Sequence, residues 1–204
     1  MRTDATISEP TRSRFGNLCG WTRRLLAGFA LTVLLGACAV APRAPVAPWV
    51  APPPAFDIEG RLSAKRGNEA LTANFRWLHD AAGDVISLAT PLGQSFAQLR
   101  GGTAGVRIEK SDGTTGAAPN WSELTRAALG MELPVEGLAS WIRGVPLQGS
   151  EATVERDGSG RPEVLRQQGW EIVYTYDDEA SSGASRLTAR YPDVDVRMVI
   201  DRWN

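Results

Sequence analysis

The chain has 204 residues, with 22 Lys and Arg against 23 Asp and Glu, so it lacks the basic excess expected of a nucleic-acid binder. At 43% hydrophobic and 22% charged residues its composition is that of an ordinary globular protein, sized for one domain plus a short segment. One histidine, His79, and two cysteines, Cys19 and Cys38, leave the stretch after Cys38 without the residues for a Cys/His zinc site, a cysteine nucleophile or a disulfide framework.

The first element is an address. Arg23 and Arg24 precede an apolar run from Leu25 to Ala37, broken by Gly28, Thr32 and Gly36. A run this short has the shape of a secretory signal rather than a single-pass anchor, which needs about 20 apolar residues. The arginine pair also admits twin-arginine export as a minor alternative to the ordinary secretory route. Leu35-Gly36-Ala37-Cys38 resembles the lipobox of bacterial lipoproteins. That resemblance implies cleavage after residue 37, a diacylglycerol thioether on the Cys38 sulfur and an N-acyl chain such as palmitate; two or more chains give stable anchoring. Ala39 in the next position implies the periplasmic face of the outer membrane. Removing residues 1–37 leaves 17 basic and 21 acidic side chains.

Residues 39–55 are Ala, Val and Pro apart from Arg43 and Trp49, with six prolines, a composition that cannot form a helix or a core. Residues 38–55 are expected to be the lipidated cysteine and its tether. Extended as polyproline II, the tether reaches about 50 Å. The globular domain is expected over 56–204.

Within it the dominant period is two. Phe56, Ile58, Gly60 and Leu62 alternate with Asp57, Glu59 and Arg61, and Leu71, Ala73, Phe75 and Trp77 with Thr72, Asn74 and Arg76. Further strands are expected over 84–90, 95–100, 105–110, 151–156, 164–168, 170–176, 186–191 and 194–203. Ser111-Asp112-Gly113 and Asp157-Gly158-Ser159-Gly160 supply turns. One helix is expected between Asn120 as cap and Gly130 as stop, with Leu124, Ala127 and Ala128 on one face. A second runs from Pro134 to about Arg143, with Leu138, Trp141 and Ile142 on its buried side and Gly144 ending it. The expected fold is mainly β with short α-helices: an open, incomplete antiparallel β-barrel of about 10–11 strands with a helical lid enclosing an apolar cavity. Alternation writes a lipid pocket and a packed interior with the same residues.

No catalytic constellation emerges. Gly93-Gln94-Ser95-Phe96-Ala97 lacks the last glycine of a nucleophile elbow and leads into a strand. His79 with Asp80 reads as a surface turn, Asp177-Asp178-Glu179 as a solvated loop without calcium-loop spacing, and Gly101-Gly102-Thr103-Ala104-Gly105 as a hairpin. No cofactor or metal is expected. Of seven tryptophans, Trp77, Trp121, Trp141, Trp170 and Trp203 fall in the domain, where aromatic residues on strands are usually core.

The order of short motifs resembles one family, the outer-membrane lipoprotein receptor LolB family. The pieces are Phe56 with Gly60-Arg61-Leu62, Phe75-x-Trp77, Pro91-Leu92-Gly93-Gln94, Asp112-Gly113, Leu129-Gly130-x-x-Leu133-Pro134, Leu138-x-x-Trp141-Ile142-x-Gly144, Gln168-Gly169-Trp170-x-Ile172-x-Tyr174 and Val199-Ile200-x-x-Trp203. The resemblance implies carriage rather than catalysis. Acylated lipoproteins arrive on the periplasmic carrier LolA, are accepted, and are inserted into the outer membrane. Partners so implied are that carrier, triacylated lipoproteins and outer-membrane lipid through Cys38; the charge balance argues against nucleic acid, and a monomer is expected. Leu92, flanked by Pro91 and Gly93, matches the leucine of the family's protruding membrane-insertion loop. Candidates for the acyl-chain cavity, taken from strand and helix faces, are Phe75, Trp77, Ile86, Leu88, Leu138, Trp141, Ile142, Trp170, Ile172 and Tyr174. The competing reading is a structural or assembly lipoprotein that binds a protein partner without carrying lipid. An anchored hydrolase would have only His79 as a base.

Overall fold

The computed structural model describes residues 48–178 and 181–204. The signal segment, Cys38, the first part of the tether and Glu179 lie outside the described residues.

Eleven strands form a single antiparallel sheet: β1 (Phe56–Arg66), β2 (Glu69–Asp80), β3 (Gly83–Ala89), β4 (Ser95–Gly102), β5 (Gly105–Lys110), β6 (Thr115–Ala118), β7 (Ala152–Arg156), β8 (Pro162–Gln167), β9 (Trp170–Thr175), β10 (Arg186–Tyr191) and β11 (Val194–Trp203). Their spatial order is β6-β5-β4-β3-β2-β1-β11-β10-β9-β8-β7. The strand path starts at β1 in the middle of the sheet, winds out to one edge at β6 and returns from the other edge at β7. The two edges are joined through helices α1 (Trp121–Leu129) and α2 (Val135–Trp141), so the sheet stays open. Strand β6 is not signalled by the sequence, because Thr115-Gly116-Ala117-Ala118 carries no large β-former; its pairing with β5 supplies it.

Alternation sorts the two faces. Ile58, Trp77 and Ile86 stand side by side across β1, β2 and β3, and Leu187, Tyr174 and Met198 across β10, β9 and β11, all facing the helices. The opposite face carries ion pairs, Arg166 with Glu155 and Glu171, and Arg190 with Asp195 at 3.6 Å. These are exposed cross-strand contacts that set register more than they add stability.

The two half-sheets meet at β1 and β11. A bulge between Glu59 and Gly60 shifts their register, and a Cβ on Gly60 would stand 1.9 Å from the Val199 carbonyl oxygen. The two backbones therefore meet where only glycine fits.

Both helices form for local reasons. Asn120 Oδ1 accepts the Glu123 N–H (2.9 Å), its Nδ2 donates to the Glu123 carboxylate (2.9 Å), and Gly130 closes α1 at φ 78°. The buried face of α1 is Trp121, Leu124 and Thr125; the expectation for Ala127 is corrected, because it faces solvent while Trp121, one turn before Leu124 and Thr125, takes the core side. The Trp121 ring sits over Gly101, where a Cβ would come within 2.2 Å. Helix α2 buries Leu138 and Trp141, with Ile142 just after it.

The tether is not free throughout. Trp49 Nε1 donates to the Ser182 carbonyl (2.8 Å), the Arg156 guanidinium lies 5.4 Å from its ring centroid, and the buried Pro52 accepts through its carbonyl from Arg143 Nε (3.1 Å). Residues 48–55 are thus a docked strap, and burial pulls the Arg143 guanidinium pKa below its ordinary value.

Candidate functional site

Leu92 is the most exposed large apolar side chain among the described residues, at 92%, at the tip of the β3–β4 connection. The turn holding it is rigid. Gly93 N–H donates to the Thr90 carbonyl (2.8 Å), Thr90 N–H to the Gln94 carbonyl (2.8 Å), and Asn74 Nδ2 fixes Thr90 from β2 (3.2 Å). Pro91 occupies the second position and Gly93, at φ 88°, the fourth, as a tight turn followed by a left-handed residue requires. Pro91 and Gly93 are exposed as well. The hydrogen bonds of the turn leave Leu92 outside, at a cost in exposed apolar area that a partner can recover.

Of the ten cavity candidates, the seven on strands face the helices. Phe75, Trp77 and Leu88 are buried on β2 and β3, with Ile86 only half-buried between Trp77 and Leu99. Leu138, Trp141 and Ile142 come from α2 and its end, and Ile172 and Tyr174 from β9. Trp170 is half-buried at the start of β9, its ring 5.9 Å from Trp141 and 5.1 Å from Tyr191.

The interior is filled rather than hollow around α2. Trp141 is 0% exposed. Gln167 faces it from β8, and its Oε1 accepts from Trp141 Nε1 (2.8 Å) and from Leu147 N–H (2.8 Å), while its Nε2 donates to the Leu147 carbonyl (2.8 Å) and Ser150 Oγ (2.7 Å). Tyr174 donates its hydroxyl to the Trp141 carbonyl (2.8 Å), and burial raises its pKa far above that of a free phenol. The α1–α2 connection is pinned too, since Thr125 Oγ1 accepts the Leu133 N–H (2.9 Å) beside buried Met131. Sequence patterning missed Gln167 and Thr125, because a single polar residue on an apolar face reads as noise until its partners are seen.

At the far end, His79 pairs with Asp84, not Asp80. His79 Nδ1 and Trp77 Nε1 both lie 2.7 Å from Asp84 Oδ1, and Phe56 stacks on the imidazole at 5.0 Å. Asp80 instead caps the turn, accepting the Ala82 N–H (2.7 Å). The imidazole is engaged with an acceptor and a ring, which is a structural use. On the outer face, the Arg76 hydrogen bond holds the Asp57 carboxyl below the usual carboxylate range.

The site is thus an open antiparallel sheet wound on two helices, with an aromatic interior and one bare leucine held out on a hydrogen-bonded turn. A family model described as outer membrane lipoprotein LolB matches residues 54–203. An outer-membrane lipoprotein LolB of Azoarcus sp. (strain BH72) is 36% identical over 186 residues, spanning 89% of this chain and 96% of that one. The namesake from Thiobacillus denitrificans is 36% identical over 182 residues, spanning 89% and 97%. The chain belongs to the LolB family. Among solved structures, a LolA superfamily protein from Nitrosomonas europaea gives a TM-score of 0.45 at 7% identity, covering 74% of this chain and 85% of that one.

Proposed function

We propose that the chain is an outer-membrane-anchored receptor that accepts acylated lipoproteins from the periplasmic carrier LolA and inserts them into the outer membrane. Residues 1–37 are its signal peptide, Cys38 its lipidated residue, and Leu92 with Pro91 and Gly93 its insertion loop. The role is carriage, without a catalytic step. Exposure of Leu92 on a hydrogen-bonded turn is the observation that carries this reading beyond family membership.

The physics explains why such a receptor exists. Three acyl chains hold about forty CH₂ groups, and exposing them to water at roughly 0.8 kcal/mol each would cost on the order of 30 kcal/mol. Passage from one apolar interior to another avoids that barrier. In this reading the acyl chains enter between the helices and the sheet, beside the Trp141–Gln167 pair. Half-buried Leu62, Leu71 and Ile86 and the rim at Trp170 line that path.

The filled interior favours a second reading, a structural lipoprotein that holds a protein partner and no lipid. One experiment separates them. A mature Cys38→Ala chain is mixed with a triacylated lipoprotein loaded on the purified carrier, without detergent, and the two proteins are then separated. Lipoprotein found on this chain supports the receptor; lipoprotein left wholly on the carrier, with this chain folded, supports the structural role.

A further inference from the structure

The register places more than Leu92 at one end of the sheet. Asn74 pairs with Ala89 and Leu71 with Ala64, so the Leu92 turn projects level with the last residues of β1. Arg66 pairs with Val194 and Tyr191 with Val194, while Trp170 opens β9 beside Tyr191. The same end therefore carries Leu92, Tyr191 (42% exposed) and half-exposed Trp170, whose rings lie 5.1 Å apart. Four inter-strand steps separate β3 from β10, about 19 Å at roughly 4.8 Å per strand. The leucine and the aromatic pair are thus two separated contacts on one rim.

We infer that this rim is a bilayer-contact surface, with Leu92 entering the acyl region and the Trp170–Tyr191 pair anchoring at headgroup level. Three observations point to a phospholipid surface as the occupant. Tryptophan and tyrosine with an apolar body and a polar tip are the side chains favoured at that depth. The chain's two lysines, Lys65 near the end of β1 and Lys110 at the end of β5, lie at this rim, and among the described residues neither joins the ion pairs that hold the arginines; Lys110 stands near Asp112, so Lys65 is the ammonium offered to lipid phosphates. The third is the length of the chain ahead of the described residues.

The strap at Trp49 docks at the opposite end, against Ser182 and Arg156. Nine residues lie between Cys38 and Pro48, so ten Cα–Cα steps give a reach of about 35 Å at full extension. Strand β1, 11 residues long, spans about 36 Å. The covalent reach from Pro48 to Cys38 is thus comparable to the length of β1, which suits a lipid on Cys38 and the Leu92 rim to one leaflet.

The inference rests on the insertion reading; its first test uses vesicles alone, and uptake from the loaded carrier is measured beside it to tell the two readings apart. The mature Cys38→Ala chain is mixed with phosphatidylethanolamine/phosphatidylglycerol vesicles whose acyl chains carry bromine near the headgroup, and tryptophan fluorescence is followed. Vesicles should quench the wild-type emission. Trp170→Phe should remove most of that quenching, and Trp49→Phe, at the far end, should leave it intact. Tyr191→Ser and Lys65→Glu should each weaken vesicle association several-fold, with the thermal transition checked to show that the variants are folded. Quenching unchanged by Trp170→Phe, or full association by folded Tyr191→Ser, overturns the inference. Vesicle binding kept by those variants while uptake from the loaded carrier falls would instead make this rim a protein-docking surface. Absence of quenching together with normal lipoprotein uptake would reject the rim and leave the receptor reading standing.

Discussion

The indole N–H of Trp141 donates to Gln167 Oε1 at 2.8 Å, tying the last turn of α2 to strand β8 inside the sheet. The same oxygen takes the Leu147 N–H, so one amide organises the helix, the chain leaving it and the strand beneath. Replacing Gln167 by Leu keeps the volume but leaves the Trp141 N–H and the Leu147 N–H without acceptors. At roughly 1–3 kcal/mol for each buried unsatisfied donor, a loss of about 3 kcal/mol is expected. Urea denaturation of the variant should show a lower midpoint at an unchanged slope; a midpoint equal to wild type would mean that the pair does not hold α2.

The seam between β1 and β11 makes a sharper demand. Gly60→Ala would place a methyl 1.9 Å from the Val199 carbonyl oxygen, and backbone on both sides must move. The expected cost is at least about 2 kcal/mol, beyond ordinary overpacking because no side chain can swing aside. Thermal unfolding measures it, and a variant as stable as wild type would show that the bulge relaxes freely.

Tyr176 predicts an alkaline limit. Burial pushes its phenol up to about 12, with the Arg161 guanidinium 4.6 Å from its ring centroid and its hydroxyl donating to the Pro162 carbonyl (3.0 Å). The folded state holds the proton where the unfolded chain, at about 10, releases it. Its contribution to stability is therefore complete below pH 10 and is lost as pH rises to about 12. Tyrosinate absorbance should report a late-titrating tyrosine lost in Tyr176→Phe. Titration of that tyrosine near its ordinary pKa would remove the prediction.

Most of the sheet was legible because half-buried antiparallel strands spell their faces at period two. The expected 186–191 and 194–203 coincide with β10 and β11, and the Asn120–Glu123 cap with Gly130 marked α1 at both ends. Elements without their own signal were not legible. Strand β6 exists because β5 offers an edge, and Trp49 and Pro52 dock because Ser182 and Arg143, more than ninety residues away in sequence, present partners. The exposed Leu92 is a further case: composition favours burial of leucine, and only the turn geometry with family resemblance argued otherwise. Nor does alternation tell a packed interior from a lipid path, since Trp141 would be written the same way for either.

Delivery measured beside pickup tests the central claim most directly. Wild-type and Leu92→Glu mature chains are given triacylated lipoprotein on the carrier, then mixed with phospholipid vesicles, and lipoprotein is followed from carrier to receptor to bilayer. Leu92 is 92% exposed, so the substitution should change stability by less than about 0.5 kcal/mol. The account predicts that both chains take the lipoprotein and that the variant delivers it at least tenfold more slowly. A folded Leu92→Glu chain that delivers at the wild-type rate would contradict it.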